Sequence, residues 1–147
     1  MTRARKDPRH RAREAALQIL YQAEIGGGDI GSAVETFFGL QWADADPPSA
    51  ALREFASALA FETRSRLAAI DALIAETALR WRPERMAVLD RLILRMAICE
   101  MMRDPSTPPA VVINEALELA RTFTTEESVK FVNGMLDAVK KKLETPR

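Results

Sequence analysis

Six cationic side chains crowd the start of this chain, and guanidinium groups at such spacing bind phosphate oxygens. Arg3, Arg5, Lys6, Arg9, Arg11 and Arg13 fall within the first 13 residues against one acid, Asp7. Taking these from the chain's 21 basic and 21 acidic residues leaves 15 against 20, so a basic arm of about +5 precedes a slightly acidic body. Arginine holds phosphate bidentately and stacks on bases, which makes the arm a candidate contact for a polyanion. A solubilising tail is the competing reading. Arg5, Arg9 and Arg13 recur every fourth residue and would align along one side of a helix. Positive charge at a helix N-terminus is unfavourable by about a few tenths of a kcal/mol. A purely structural role would not select that placement, which favours a ligand. Residues before Pro8 are expected to be disordered alone and to order on RNA.

Other chemistries have few residues to work with. His10 is the sole histidine and Cys99 the sole cysteine. That excludes a Ser-His-Asp triad, a Cys-His dyad and His-based metal sites within one chain, and no internal disulfide is possible. Cys99 reads as a small apolar core residue. No acid pair stands out, and no metal site or cofactor is expected. Gly26, Gly28 and Gly31 match G-x-G-x-x-G, but that motif needs a preceding strand inside a βαβ unit. Here it follows an amphipathic helical pattern and reads as an interhelical loop. No run of about 18 apolar residues predicts a membrane span, no signal peptide is expected, and a reducing, cytoplasmic setting fits.

The elements that must position these residues are helical throughout. Ala12, Ala15, Ala16, Ile19, Leu20 and Ala23 form one stripe of a helix from about Pro8 to the glycines at 26–28. Tyr21 lies eight residues beyond Arg13 on the same helix and is available to stack on a base or to bury part of its ring. A second helix is expected from Gly31 to Leu40, followed by a loop at Asp44–Pro48. A third begins after Pro48, with Leu52, Phe55, Ala56 and Leu59 inward, and a fourth buries Leu67, Ile70, Leu73, Ile74 and Ala78. Arg82-Pro83 marks a boundary. A fifth helix, Pro83–Arg103, is apolar almost all round and therefore central. Ile113, Ala116, Leu117 and Ala120 face inward on a sixth. Thr125 caps a seventh, whose inward stripe is Ser128, Val132, Met135, Leu136, Val139 and Leu143. Trp42 and Trp81 read as packing residues at loop and boundary positions. The fold class is all-α, with about seven helices in two small packed bundles. It is one domain over 1–147, with a basic arm at 1–8 and a subdomain divide near 80–83.

Several segments together resemble the NusB family of transcription antitermination factors. They are Arg9-His10-Arg11-Ala12-Arg13-Glu14 with Leu17-Gln18-Ile19-Leu20-Tyr21, Leu89–Arg95 with Glu100, Val111–Ala120, and Lys130-Phe131-Val132-Asn133-Gly134-Met135-Leu136-Asp137. The resemblance spans almost the whole chain in order, and its C-terminal pair of motifs is the specific part. It implies a non-enzymatic protein that binds boxA leader RNA together with NusE, a small-subunit ribosomal protein. With other Nus factors and RNA polymerase the pair suppresses premature termination in ribosomal RNA operons. Some family members form homodimers. The resemblance assigns RNA contacts to Arg9, His10, Arg11, Arg13, Tyr21, Arg95, Glu127 and Phe131, beside the arm's Arg3, Arg5 and Lys6. It makes Asp90 a NusE-contact candidate.

Several of these positions also suit a structural role. Phe131 fits a core as well as a stacking face. Gly134 in mid-helix implies a close helix–helix approach, with Asn133 a buried amide. Asp90 or Glu100 is placed to pair with Arg91 or Arg95. Two departures from the family pattern stand out. His10 replaces a common arginine, making one phosphate contact weaker or pH-dependent. Thr124 replaces a common glycine, which predicts an altered turn or positive φ there. Two rival functions are a pure protein–protein scaffold and the helical module that precedes some ribosomal RNA cytosine methyltransferases. The second would need a separate methyl-donor domain with its own Gly-rich loop.

Overall fold

The structure, a computed structural model, describes residues 8–78 and 82–144. The described residues form seven α-helices: α1 (Pro8–Gly26), α2 (Ile30–Thr36), α3 (Ala50–Ser65), α4 (Leu67–Thr77), α5 (Val88–Arg103), α6 (Pro109–Phe123) and α7 (Glu126–Glu144). A π-turn at Phe37–Gln41 follows α2, and a 3₁₀ turn at Pro83–Arg85 precedes α5. The chain divides into two compact units between Glu62 and Thr63, inside the last turns of α3, rather than near 80–83. The sequence points to 80–83 because Arg82-Pro83 interrupts the helical period, but α4 lies against α5 and α7 and so belongs to the second unit.

In the first unit, the expected α1 stripe is buried, with Ala12, Ala16 and Ile19 fully inaccessible. Gly27 ends α1 as the left-handed C′ residue, with φ 71° and its N–H bonded to the Ala23 carbonyl at 2.9 Å. The G-x-G-x-x-G stretch is therefore a helix stop and restart. Asp29 caps α2, accepting from the Ser32 backbone N–H at 2.8 Å and the Ser32 hydroxyl at 3.0 Å. Those bonds, the backbone one first, hold the Asp29 carboxyl below its ordinary pKa. The helix expected over 31–40 stops at Thr36, and the wider π-turn takes Phe37 and Phe38 inside. Ser49 caps α3 through its hydroxyl, which accepts from the Leu52 N–H at 3.1 Å.

The second unit is built around α5, which packs on α4, α6 and α7. Nine consecutive residues, Leu92 to Glu100, are buried, as expected of a helix that is apolar all round. Each fully buried aliphatic residue here contributes about 1.5–3 kcal/mol. The helix starts at Val88 instead of Pro83. Proline does open a helical turn, but Met86 N–H closes it on the Pro83 carbonyl at 3.2 Å and Met86 then leaves in extended conformation. Thr125 caps α7 as expected, accepting from the Ser128 N–H at 3.2 Å.

Four details differ from expectation. Thr124 is extended (φ −135°, ψ −157°), because both its N–H (2.8 Å) and its hydroxyl (2.6 Å) close α6 on the Ala120 carbonyl without a left-handed residue. Asn133 is exposed, not a buried amide. A Cβ at Gly134 would meet nothing within 4 Å, so no close helix approach explains that glycine. Leu143 is 39% exposed, as the stripe runs out at the end of α7.

Candidate nucleic-acid interface

The first unit carries the arginine-bearing face of α1. Arg9 is exposed and its guanidinium carbon sits 5.0 Å from the centroid of the Phe55 ring. Arg13, one turn on, lies over the same ring at 5.3 Å but is only 4% exposed. The ring face offers its negative quadrupole to this cation, one of several interactions that hold it. Arg13 thus lies behind the surface rather than on it. Arg11 points elsewhere, with its guanidinium 5.0 Å from the Trp42 centroid and in an ion pair with Asp44. His10 Nε2 lies 3.5 Å from Glu14 Oε2, both side chains being largely buried. Tyr21 is 42% exposed. Eight residues of α-helix advance about 80° round the axis, so Tyr21 leaves the buried sector that holds Arg13. Arg3, Arg5 and Lys6 lie outside the described residues, as do most of the expected basic arm and Trp81.

The second unit gathers three of its four candidates. Asp90, Glu127 and Phe131 line one cleft of about 270 Å³ with Met86, Ala87, Thr125 and Ser128. Glu127 is exposed at the start of α7, where its charge suits the helix dipole, and Phe131 is half-buried one turn later. Asp90 accepts from the Ser128 hydroxyl at 3.1 Å, and its other oxygen is buried without a hydrogen bond. Arg95 is set apart from this group. It is 9% exposed and donates a two-pronged bond to Asp71 of α4, Nε to Oδ1 at 2.9 Å and Nη2 to Oδ2 at 2.8 Å. Arg91, on the preceding turn, donates to the Pro83 carbonyl at 3.1 Å.

The sequence does not mark Trp42, Phe55, Asp71 or Ser128 as partners of the site. Phe55 reads there as core and Trp42 as packing. An aromatic residue at a loop edge in an arginine-rich unit is the only available signal. Nothing local marks Asp71 as the partner of a residue on another helix.

Among the described residues, no group of histidine, cysteine and acids is arranged to hold a metal ion. No described helix is long and apolar enough to cross a membrane. Fold and site together define an all-helical protein that presents arginines braced on aromatic rings in one unit and an aromatic–acidic cleft in the other. The NusB family model matches residues 10–141, and the chain belongs to the NusB family. The transcription antitermination protein NusB of Koribacter versatilis (strain Ellin345) is 44% identical over 139 residues, covering 95% of this chain and 92% of that protein. T. maritima NusB superposes with a TM-score of 0.80 at 32% identity, over 96% of this chain and 100% of the other. A chain in the crystal structure of antitermination factors NusB and NusE in complex with double-stranded RNA shares the fold. It has a TM-score of 0.78 at 24% identity over 92% of this chain and 97% of that one.

Proposed function

We propose that this chain is a cytoplasmic RNA-binding antitermination factor with no chemistry of its own. It binds boxA-type leader RNA together with NusE and, with other Nus factors and RNA polymerase, suppresses premature termination in ribosomal RNA operons. The observation that carries this reading is that α1 holds Arg9 over Phe55 and Arg11 over Trp42, with Arg9 exposed and the Arg11 side chain 31% exposed, so that both keep solvent access. Kinship at 44% identity with a transcription antitermination protein supports it, as does a neighbouring fold solved with NusE and RNA.

Roles follow from exposure. Arg9 and Arg11 contact phosphates, with Arg3, Arg5 and Lys6 of the arm beside them. Tyr21 and Phe131 offer ring faces to bases, worth about 1–3 kcal/mol each where a base stacks. Arg13 and Arg95 act from behind the surface by holding Phe55 and Asp71 in place. Asp90 lines the cleft through which NusE contact is proposed. About four phosphate contacts on single-stranded RNA give a log–log salt slope near −3, and Arg9→Ala with Arg11→Ala should flatten it by about 1.4. Fluorescence anisotropy across a salt series measures this; an unchanged slope removes α1 from the RNA contact. The scaffold reading, in which the chain holds NusE without RNA affinity, predicts no salt-sensitive RNA term at all.

A further inference from the structure

The geometry points to a latched RNA contact formed by Arg11, Trp42 and Asp44, in which Asp44 occupies the phosphate position of Arg11 in the free protein and Trp42 lies in the RNA footprint. The inference rests on the RNA-binding reading of α1. Three observations carry it. First, Arg11 pairs with Asp44, and both side chains keep solvent access, at 31% and 40%. A carboxylate and a phosphate present the same oxygens to a guanidinium, so one replaces the other without rearranging the arginine. Second, the Trp42 ring lies beneath that guanidinium, 5.0 Å from centroid to carbon, and is fixed on its other sides. Phe37 meets it edge-on at 6.2 Å, Phe38 lies tilted at 5.9 Å, and its Nε1–H donates to the Asp46 carbonyl at 2.8 Å. Third, that last bond ties down the loop bearing Asp44, so the carboxylate is presented to Arg11 by a constrained segment. The π-turn at Phe37–Gln41 delivers Trp42 to this place.

An aromatic ring carrying an arginine, half-buried at the edge of a cationic helix, is the chemistry of single-stranded RNA binding. In the free state the latch neutralises Arg11 and suppresses weak association with other polyanions. A strand whose other phosphates are held by further cations of α1 brings a phosphate to Arg11 that outcompetes the lone carboxylate. Asp44 then swings to solvent, and the surroundings of Trp42 change as the strand settles over Arg11.

The test uses the full chain carrying Trp81→Phe, which leaves Trp42 as its one tryptophan. A short boxA-containing RNA is titrated at low salt, with anisotropy of labelled RNA and tryptophan emission followed in parallel, before and after adding Asp44→Asn. The expected result is a change in Trp42 emission that follows the anisotropy curve. Binding should be about 1.5- to 5-fold tighter with Asp44→Asn, the range that loss of one exposed ion pair allows. Asparagine keeps the size of the side chain and removes only the competing charge. Equal or weaker binding by Asp44→Asn overturns the latch. Trp42 emission that stays constant through a saturating anisotropy curve overturns the footprint, and in either case RNA binding itself stands. No binding by the parent protein removes the RNA reading and this contact with it.

Discussion

Replacing Asp71 with asparagine should destabilise the second unit substantially, because it removes the charged partner of the largely buried Arg95. The Arg95 side chain is 11% exposed and Asp71 29%, and two charge-assisted bonds of 2.9 and 2.8 Å join them. Removing one partner of a fully buried pair costs about 3–5 kcal/mol. Asp71 retains water contact and Arg95 has further interactions, so the expected loss is half of that, about 1.5–2.5 kcal/mol. For 147 residues the unfolding entropy is about 0.3 kcal/mol/K, so the melting midpoint should fall by about 5–8 °C. Urea unfolding followed by circular dichroism gives the free energy directly, through a lower midpoint at unchanged slope. Replacing both partners by Leu and Met removes the buried charge as well, and most of the lost stability should return. An unfolding free energy within about 0.3 kcal/mol of the parent's for Asp71→Asn would refute the idea that Arg95 is a framework residue fixed by Asp71.

Gly134 lies in α7 with open space where a Cβ would go, so Gly134→Ala should stabilise by up to about 1 kcal/mol; a loss on thermal melting would show a crowded backbone there. Gly27→Ala should do the opposite, costing about 1–2 kcal/mol, since φ 71° strains any side chain even where space is open. Asp104 accepts from the Ser106 and Thr107 hydroxyls, which hold its carboxyl below the ordinary value. Its contribution is complete above the unfolded carboxyl pKa of about 3.9 and is lost as pH falls through the lower folded value. Asp104→Ala should therefore be less stable than the parent at pH 7, with the gap closing below about pH 4; a gap independent of pH in urea titrations would contradict this.

The fold is readable wherever a helical stripe meets its own unit's core. The α1 stripe and the long buried run of α5 follow from apolar spacing alone, and the Thr125 cap from a hydroxyl before two acids. Boundaries set by tertiary contacts are not readable. Pro83 starts a turn correctly, yet Met86 ends it, and the unit divide falls inside α3 because α4 packs forwards onto α5 and α7. The site is readable as a set of residue types but not as surface and support. Arg9, Arg11 and Arg13 look alike in sequence. Only tertiary packing separates them: Arg9 and Arg13 share the Phe55 ring, yet Arg13 is buried and Arg9 exposed, while Arg11 goes to Trp42. Asn133 and Gly134 belong to the motif most specific to the family, and the fold itself does not explain them, since both are exposed.

The proposed function requires that α1 bind boxA RNA and that NusE strengthen this binding. Anisotropy of a short boxA RNA against a scrambled control, with and without the cognate NusE at two salt concentrations, measures it directly. Selective binding that tightens with NusE and weakens as salt rises is the predicted result. Equal affinity for the two RNAs would contradict it, as would NusE binding with no RNA association at either salt concentration.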